Sequence, residues 1–139
     1  MDSMETLEPS PDEYVVRRPA RRSGTGAWTL VDAASDTWVV RTTGERASLL
    51  PVLRDRDGVA HYPTGEVPVR FAEPPTDEAL RVFAKSQRVT LARRNALERR
   101  QATFAPAAPE WLPDLVDRLA AAPGVARAWA VTLSRYAGA

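Results

Sequence analysis

An α+β fold with a β-rich N-terminal module is predicted for this chain, on three observations. Up to residue 63, short β-branched and aromatic runs alternate with turn-forming Gly, Asp and Pro clusters. Helical periodicity appears twice, around Ala79–Ala84 and Leu112–Leu119. From Gly65 onward the elements follow in the order β-α-β-β-α-β. That order is the split βαβ, or ferredoxin-like, plan, in which two helices cover one face of a four-stranded antiparallel sheet.

Residues 1–12 hold prolines, acids and little apolar surface, so they are expected to be a disordered acidic tail. A β-rich module is expected over residues 13–63. Within it, Tyr14-Val15-Val16 reads as a short strand, Ser23-Gly24-Thr25-Gly26 as a loop, and Trp28–Val31 and Thr37–Arg41 as strands joined by Asp32–Asp36. Thr43-Gly44 is expected to turn a tight hairpin between Trp38–Arg41 and Ala47–Leu50, because a glycine there supplies positive φ. Asp55-Arg56-Asp57-Gly58 and Pro63-Thr64-Gly65 mark two further turns.

The ferredoxin-like domain is expected over residues 64–135, with a tail at 136–139. Val67, Val69 and Phe71 alternate with polar neighbours as a half-buried strand. Thr76 can cap a helix whose first turn carries Asp77 and Glu78, acids that suit the positive end of the dipole. Arg88–Arg94 and Arg100–Ala105 read as paired strands joined through Asn95–Arg99. Leu112, Leu115, Val116 and Leu119 recur at helical spacing until Pro123-Gly124 ends the run. Val125–Leu133 is expected as one last strand, with Val125, Trp129, Val131 and Leu133 turned towards the helices. The predicted core is Phe71, Leu80, Phe83, Leu115, Leu119 and Trp129. On the opposite face, Ala126, Ala128, Ala130 and Thr132 would leave a flat surface of small side chains. A solvated sheet face normally carries larger polar groups, so this one is read as a docking surface, or as the seat of the N-terminal module.

Composition narrows the chemistry. Hydrophobic residues make up 44% and charged residues 27% of the 139, the balance of a globular chain. Nineteen Lys plus Arg oppose eighteen Asp plus Glu, so a net charge of +1 supplies no global field for nucleic acid or an anionic membrane. The absence of cysteine removes thiolate nucleophiles, disulfides and Cys-based zinc sites. Gly24-Thr25-Gly26 lacks the third glycine of a dinucleotide fingerprint, and no P-loop, nucleophile elbow or zinc-protease motif occurs. His61, the only histidine, has no acid or nucleophile beside it in a catalytic pattern. Asp114 and Asp117 lie opposite the leucine stripe, as a solvated helix face would. Arginines at 17–22 and at 93, 94, 99 and 100 are read as edge-strand protection. No catalytic residue, metal site or cofactor is expected, nor a nucleic-acid or membrane partner. The acidic N-terminus is unlike a signal peptide.

Residues 64–136 carry a further pattern. The strand Gly65-Glu66-Val67-Pro68-Val69-Arg70-Phe71, the segment Val89-Thr90-Leu91-Ala92-Arg93-Arg94, and the step Ala122-Pro123-Gly124-Val125 into a closing strand resemble the propeptide domain of subtilisin-family serine proteases. The upstream Trp38–Arg41, Gly44 and Leu49-Leu50-Pro51 run is similar to the hairpin that precedes some of those propeptides. The resemblance implies a non-catalytic chaperone or inhibitor of a subtilisin-like serine protease, standalone or an excised prodomain. It implies docking by the Ala126, Ala128, Ala130 and Thr132 face, with Ser134, Arg135, Tyr136, Ala137, Gly138 and Ala139 lying in the active-site cleft. The complex is expected in the cytoplasm, or secreted with its protease. A nucleic-acid-binding or other regulatory interaction domain is the alternative.

Overall fold

The computed structural model describes residues 7–17, 29–34, 37–44 and 46–134. Two compact units emerge, residues 1–63 with 132–139, and residues 64–131.

The first unit holds β1 (Glu8–Arg17), β2 (Thr29–Ala34), β3 (Thr37–Arg41), β4 (Pro51–Arg54), β5 (Ala60–Pro63) and β10 (Thr132–Ser134). They form one antiparallel sheet in the order β10-β5-β4-β1-β3-β2. The expected hairpin at Gly44 is therefore corrected: β3 and β4 flank β1 on either side, and Ala47–Leu50 is no strand. Gly44 does adopt a positive φ of 72°, within the connection that crosses from one side of β1 to the other. The tail expected over residues 1–12 is corrected from Glu8 onward, since β1 already pairs Glu8 with Arg54.

Tyr62 on β5 donates its hydroxyl to Asp32 Oδ2 on β2 at 3.4 Å. Four strand spacings would hold those strands about 19 Å apart in a flat sheet. The sheet must therefore curl. Its concave side gathers Val15, Val39 and Val52, with Leu50, Ala60 and Tyr62 packed against them.

A charge cluster ties three strands of this sheet together. Glu13 on β1 is 4% exposed. It accepts from Ser10 Oγ at 2.5 Å, from Arg54 Nη2 of β4 at 2.8 Å and from Arg41 Nη2 of β3 at 3.1 Å. Burial pushes the carboxyl up, and the hydroxyl and two guanidiniums outweigh it, holding the group below the usual glutamate range. Asp12, just before it, sits at φ 64°, a left-handed residue that marks a break in the β1–β4 register.

The second unit holds β6 (Val67–Phe71), α1 (Asp77–Gln87), β7 (Val89–Arg94), β8 (Gln101–Pro106), α2 (Leu112–Ala120) and β9 (Val125–Ala128), with sheet order β7-β8-β6-β9. Thr76 caps α1 by accepting from the Ala79 amide at 3.0 Å. Phe83 of α1 meets Phe71 and Phe104 with ring centroids 5.0 and 5.2 Å apart. Leu112, Leu115 and Leu119 of α2 are buried, with α2 packed along β9 and β6.

The α+β, ferredoxin-like class expected from the sequence is overturned. The chain is mostly β, ten strands in two antiparallel sheets with two short helices among the described residues. Two features account for this: the N-terminal half supplies five strands of a six-stranded sheet, and the expected closing strand divides. Val125–Ala128 pairs with β6, whereas Thr132–Ser134 pairs with β5 in the other sheet.

Leu119, fully buried, is expected to cost about 2–5 kcal/mol when cut to alanine, read from urea unfolding. For Glu13→Ala the expected loss is about 1–2 kcal/mol, less than for a fully buried pair, because both arginines stay partly hydrated. The Glu13 pKa is depressed on folding, so its contribution is complete at neutral pH and lost as pH falls from about 4 through the folded value. Urea midpoints of wild type and Glu13→Ala should accordingly converge on acidification.

Candidate functional site: the β7–β8 turn

The strands β7 and β8 pair antiparallel from Val89↔Pro106 to Arg94↔Ala102, and the residues between them form a tightly bonded turn. Asparagine begins it because its short amide can accept from backbone groups ahead of it. Asn95 Oδ1 takes the amides of Leu97 at 2.9 Å and Glu98 at 3.0 Å. The Asn95 amide donates to Gln101 O at 3.1 Å, and the Gln101 amide to Glu98 O at 3.0 Å. Glu98 then receives the Arg100 backbone amide at 3.0 Å and the Arg100 guanidinium at 3.1 and 3.2 Å. The Arg100 side chain, with its amide, pushes the Glu98 carboxyl down to about 2.

The flanking arginines are also bound. Arg93 forms a two-pronged pair with Glu66 at 2.8 and 3.1 Å, which lowers the Glu66 carboxyl. Arg94 pairs with Asp77 at 2.8 Å, donates to Pro75 O and reaches Arg99 O at 3.4 Å. The Arg99 side chain has no hydrogen-bond or ion-pair partner among the described residues. Leu97, at the tip, is 97% exposed. A rigid turn thus carries one bare apolar side chain, and beside it lies a hollow of about 460 Å³ lined by Pro74, Pro75, Thr76, Asp77, Arg94 and Arg99.

The residues expected to dock stand elsewhere. Ala128 pairs with Val69 and is buried on the helix-bearing side. Arg127 pairs with Arg70 on the reverse side, and Trp129 joins them, 4.7 Å from Arg127 and 6.0 Å from Arg70. The cause is a bulge: Phe71 faces Val125 while Arg70 faces Arg127, so Ala126 is the extra residue and every later side chain changes face. Ala126 is exposed at that bulge, Ala130 lies past the end of β9, and Thr132 belongs to β10. The docking face of Ala126, Ala128, Ala130 and Thr132 is therefore not one surface, and Trp129 is not in the helix-side core. A tryptophan on the helix-free side is the feature a base-binding sheet needs, yet its ring is already met by guanidinium.

Of the expected cleft segment, Ser134 pairs with His61 on β5, and Arg135, Tyr136, Ala137, Gly138 and Ala139 lie outside the described residues. So do Arg18, Arg21, Arg22 and the Gly24-Thr25-Gly26 loop. His61 does have an acid at hand. Its Nε2 is 2.9 Å from Asp55 Oδ2, across the β4–β5 turn, where Asp55 Oδ1 also accepts from Asp57 and Val59 amides. The His61 contact, with those amides, lowers the Asp55 carboxyl. Asp114 and Asp117 are exposed on α2. Among the described residues no group of His, Cys, Asp or Glu gathers that could hold a metal ion, and no helix is long and apolar enough to cross a membrane.

Comparison with protein-family models, with curated proteins and with solved structures returns no match.

The 95–99 segment, expected as a connection with edge-protecting arginines, is the β7–β8 turn. The readable signal was Arg93-Arg94-Asn95-Ala96-Leu97-Glu98-Arg99-Arg100, an apolar residue placed where a turn needs none. Removing the amide acceptor by Asn95→Ala should raise hydrogen exchange at the Leu97 and Glu98 amides about ten-fold, with global stability changed by less than about 1 kcal/mol.

Proposed function

We propose that this chain is a non-catalytic protein-binding module that docks by the β7–β8 turn, with Leu97 as its anchor. The observation that carries this reading is a leucine left 97% exposed on a turn whose amides are held by Asn95 and whose Glu98 carboxylate is held by Arg100. An apolar side chain on a flexible loop gives up much of its burial energy to ordering the loop. Here that ordering is already complete, so covering Leu97 returns about 1.5–3 kcal/mol with little entropic loss. Loops held on a rigid scaffold are also where binding residues concentrate.

Within that reading, a subtilisin-like serine protease is the partner that the pattern of residues 64–136 suggests, with inhibition as the outcome. The docking element is then the turn, in place of the alanine face.

Two measurements bear on this. Titrating the chain into subtilisin should slow hydrolysis of a chromogenic peptide, and Leu97→Asp should raise the inhibition constant by about ten-fold to a hundred-fold. A protease rate untouched by the wild-type chain ends the protease reading. Independently, photo-leucine placed at position 97 should give one dominant protein adduct in extract of the source cells, and photo-leucine at the exposed Val82 of α1 should not. Equal labelling from both positions ends the docking reading.

A further inference from the structure

The sheet of the second unit ends on β7, and the outer side of that strand is open. Ala107 donates its amide to Arg88 O at 3.2 Å, and the ladder continues through Val89↔Pro106, Thr90↔Ala105 and Leu91↔Phe104. In an antiparallel ladder every second residue bonds the neighbouring strand. Arg88 and Thr90 therefore turn their backbone groups to β8, while Val89 and Leu91 turn theirs outward, where no strand of the described residues meets them. The bulge at Ala92 bends the chain beyond, so the open stretch is 89–91. Arg93 and Arg94, the charges expected to guard this edge, are drawn away from it, Arg93 to Glu66 and Arg94 to Asp77. What the edge presents is apolar: Leu91, on the helix-bearing side opposite Phe104, is 41% exposed. The other edge, β9, is four residues long and is interrupted by the bulge at Ala126.

We infer that β7 pairs antiparallel with β7 of a second copy of this chain, about a two-fold axis at Thr90, joining two four-stranded sheets into one. The alternation of backbone groups fixes the register. Val89 bonds Leu91 of the second copy and Leu91 bonds its Val89, so each outward amide and carbonyl of 89 and 91 finds a partner, and Thr90 stands opposite Thr90. Leu91 then lies across from a valine on the helix-bearing side, and the two threonines meet on the reverse side, pairings that stabilise antiparallel strands. Charge selects a second copy over an unrelated strand. Helix α1 begins with Asp77 and Glu78, carries Lys85 in its last turn and is capped by Arg88, and neither Lys85 nor Arg88 has an ion pair among the described residues. The two-fold axis runs the two α1 helices antiparallel, which turns the acidic start of each towards the basic end of the other. An unrelated strand would bond the same amides without that match. The docking turn lies outside the paired residues, so this inference stands independently of it.

The chain has no cysteine, which makes cross-linking of the full chain a direct test. Thr90 of the two copies would form a pair without inter-strand hydrogen bonds, whose Cα atoms stand about 4.5 Å apart, inside disulfide range. Mildly oxidised Thr90→Cys should therefore run as a covalent dimer, and Ala126→Cys, at an exposed position on β9, should cross-link about ten-fold more slowly or less. Sedimentation of the wild type should show reversible dimers below about 1 mM chain, the weak association that a small interface allows. Leu91→Lys, shown to be folded by circular dichroism, should raise the dimer dissociation constant about ten-fold or more, because its ammonium would have to leave water beside Val89 of the second copy. The inference is overturned by a wild type that stays monomeric at about 1 mM. It is overturned equally by a wild-type dimer in which Thr90→Cys does not cross-link, by equal cross-linking of Thr90→Cys and Ala126→Cys, or by a folded Leu91→Lys that dimerises as the wild type does. Should Leu91→Lys not fold, the comparison of Thr90→Cys with Ala126→Cys decides.

Discussion

Burial of β6 is the constraint on which the second unit depends. Val67 and Val69 have no solvent exposure, and Phe104 opposite Val67 has none either. That strand lies between β8 and β9, so its apolar side sets where Phe83 of α1 and the leucines of α2 can pack. With β8 locked to β6, β7 has one register left to it, and the turn that joins them is held at a defined place. The backbone that carries the exposed Leu97 is held by the Asn95 side chain and by the paired strands beneath it.

Electrostatics in this molecule is largely internal. Glu13 joins three strands, Asp55 organises the β4–β5 turn, and Glu98 closes the β7–β8 turn. Pairs of this kind on partly exposed surfaces add little to stability individually. Their greater effect is on geometry, since a guanidinium fork held by a carboxylate leaves its backbone few alternatives. Other cations stand free of such pairs: among the described residues the side chains of Arg56, Arg88 and Arg99 have no carboxylate partner.

The sheet faces show how one residue can reverse an interaction surface. With strict alternation from Val125, Trp129 would enter the core and Ala128 would face outward. The bulge at Ala126 exchanges them, placing Ala128 beside Val69 and Trp129 beside Arg70 and Arg127. Nothing in the run Val-Ala-Arg-Ala-Trp-Ala distinguishes the two outcomes locally, because each alternate set contains residues that tolerate burial. Packing decides, since a small alanine fits beside Val69 under the helices and two arginines find an indole on the other side.

Local signals in the sequence were strong wherever the chemistry was local. Thr76 with Asp77 and Glu78 marked the start of α1, the Leu112–Leu119 spacing marked α2, and Asp55–Gly58 marked a turn, each because capping, periodicity and turn formation act within a few residues. What the tertiary structure alone decided was long-range. That β1 lies between β3 and β4, that Thr132–Ser134 leaves the second sheet for the first, and that Glu13 meets Arg41 and Arg54 all depend on strand pairings between distant segments. The hydrogen bonds that select such pairings are made by the backbone, which is the same at every residue, so composition and spacing do not distinguish one antiparallel neighbour from another. Leu97 lies in a segment that the sequence marks as a connection, and the folded hairpin shows how far outside it stands, at 97% exposure.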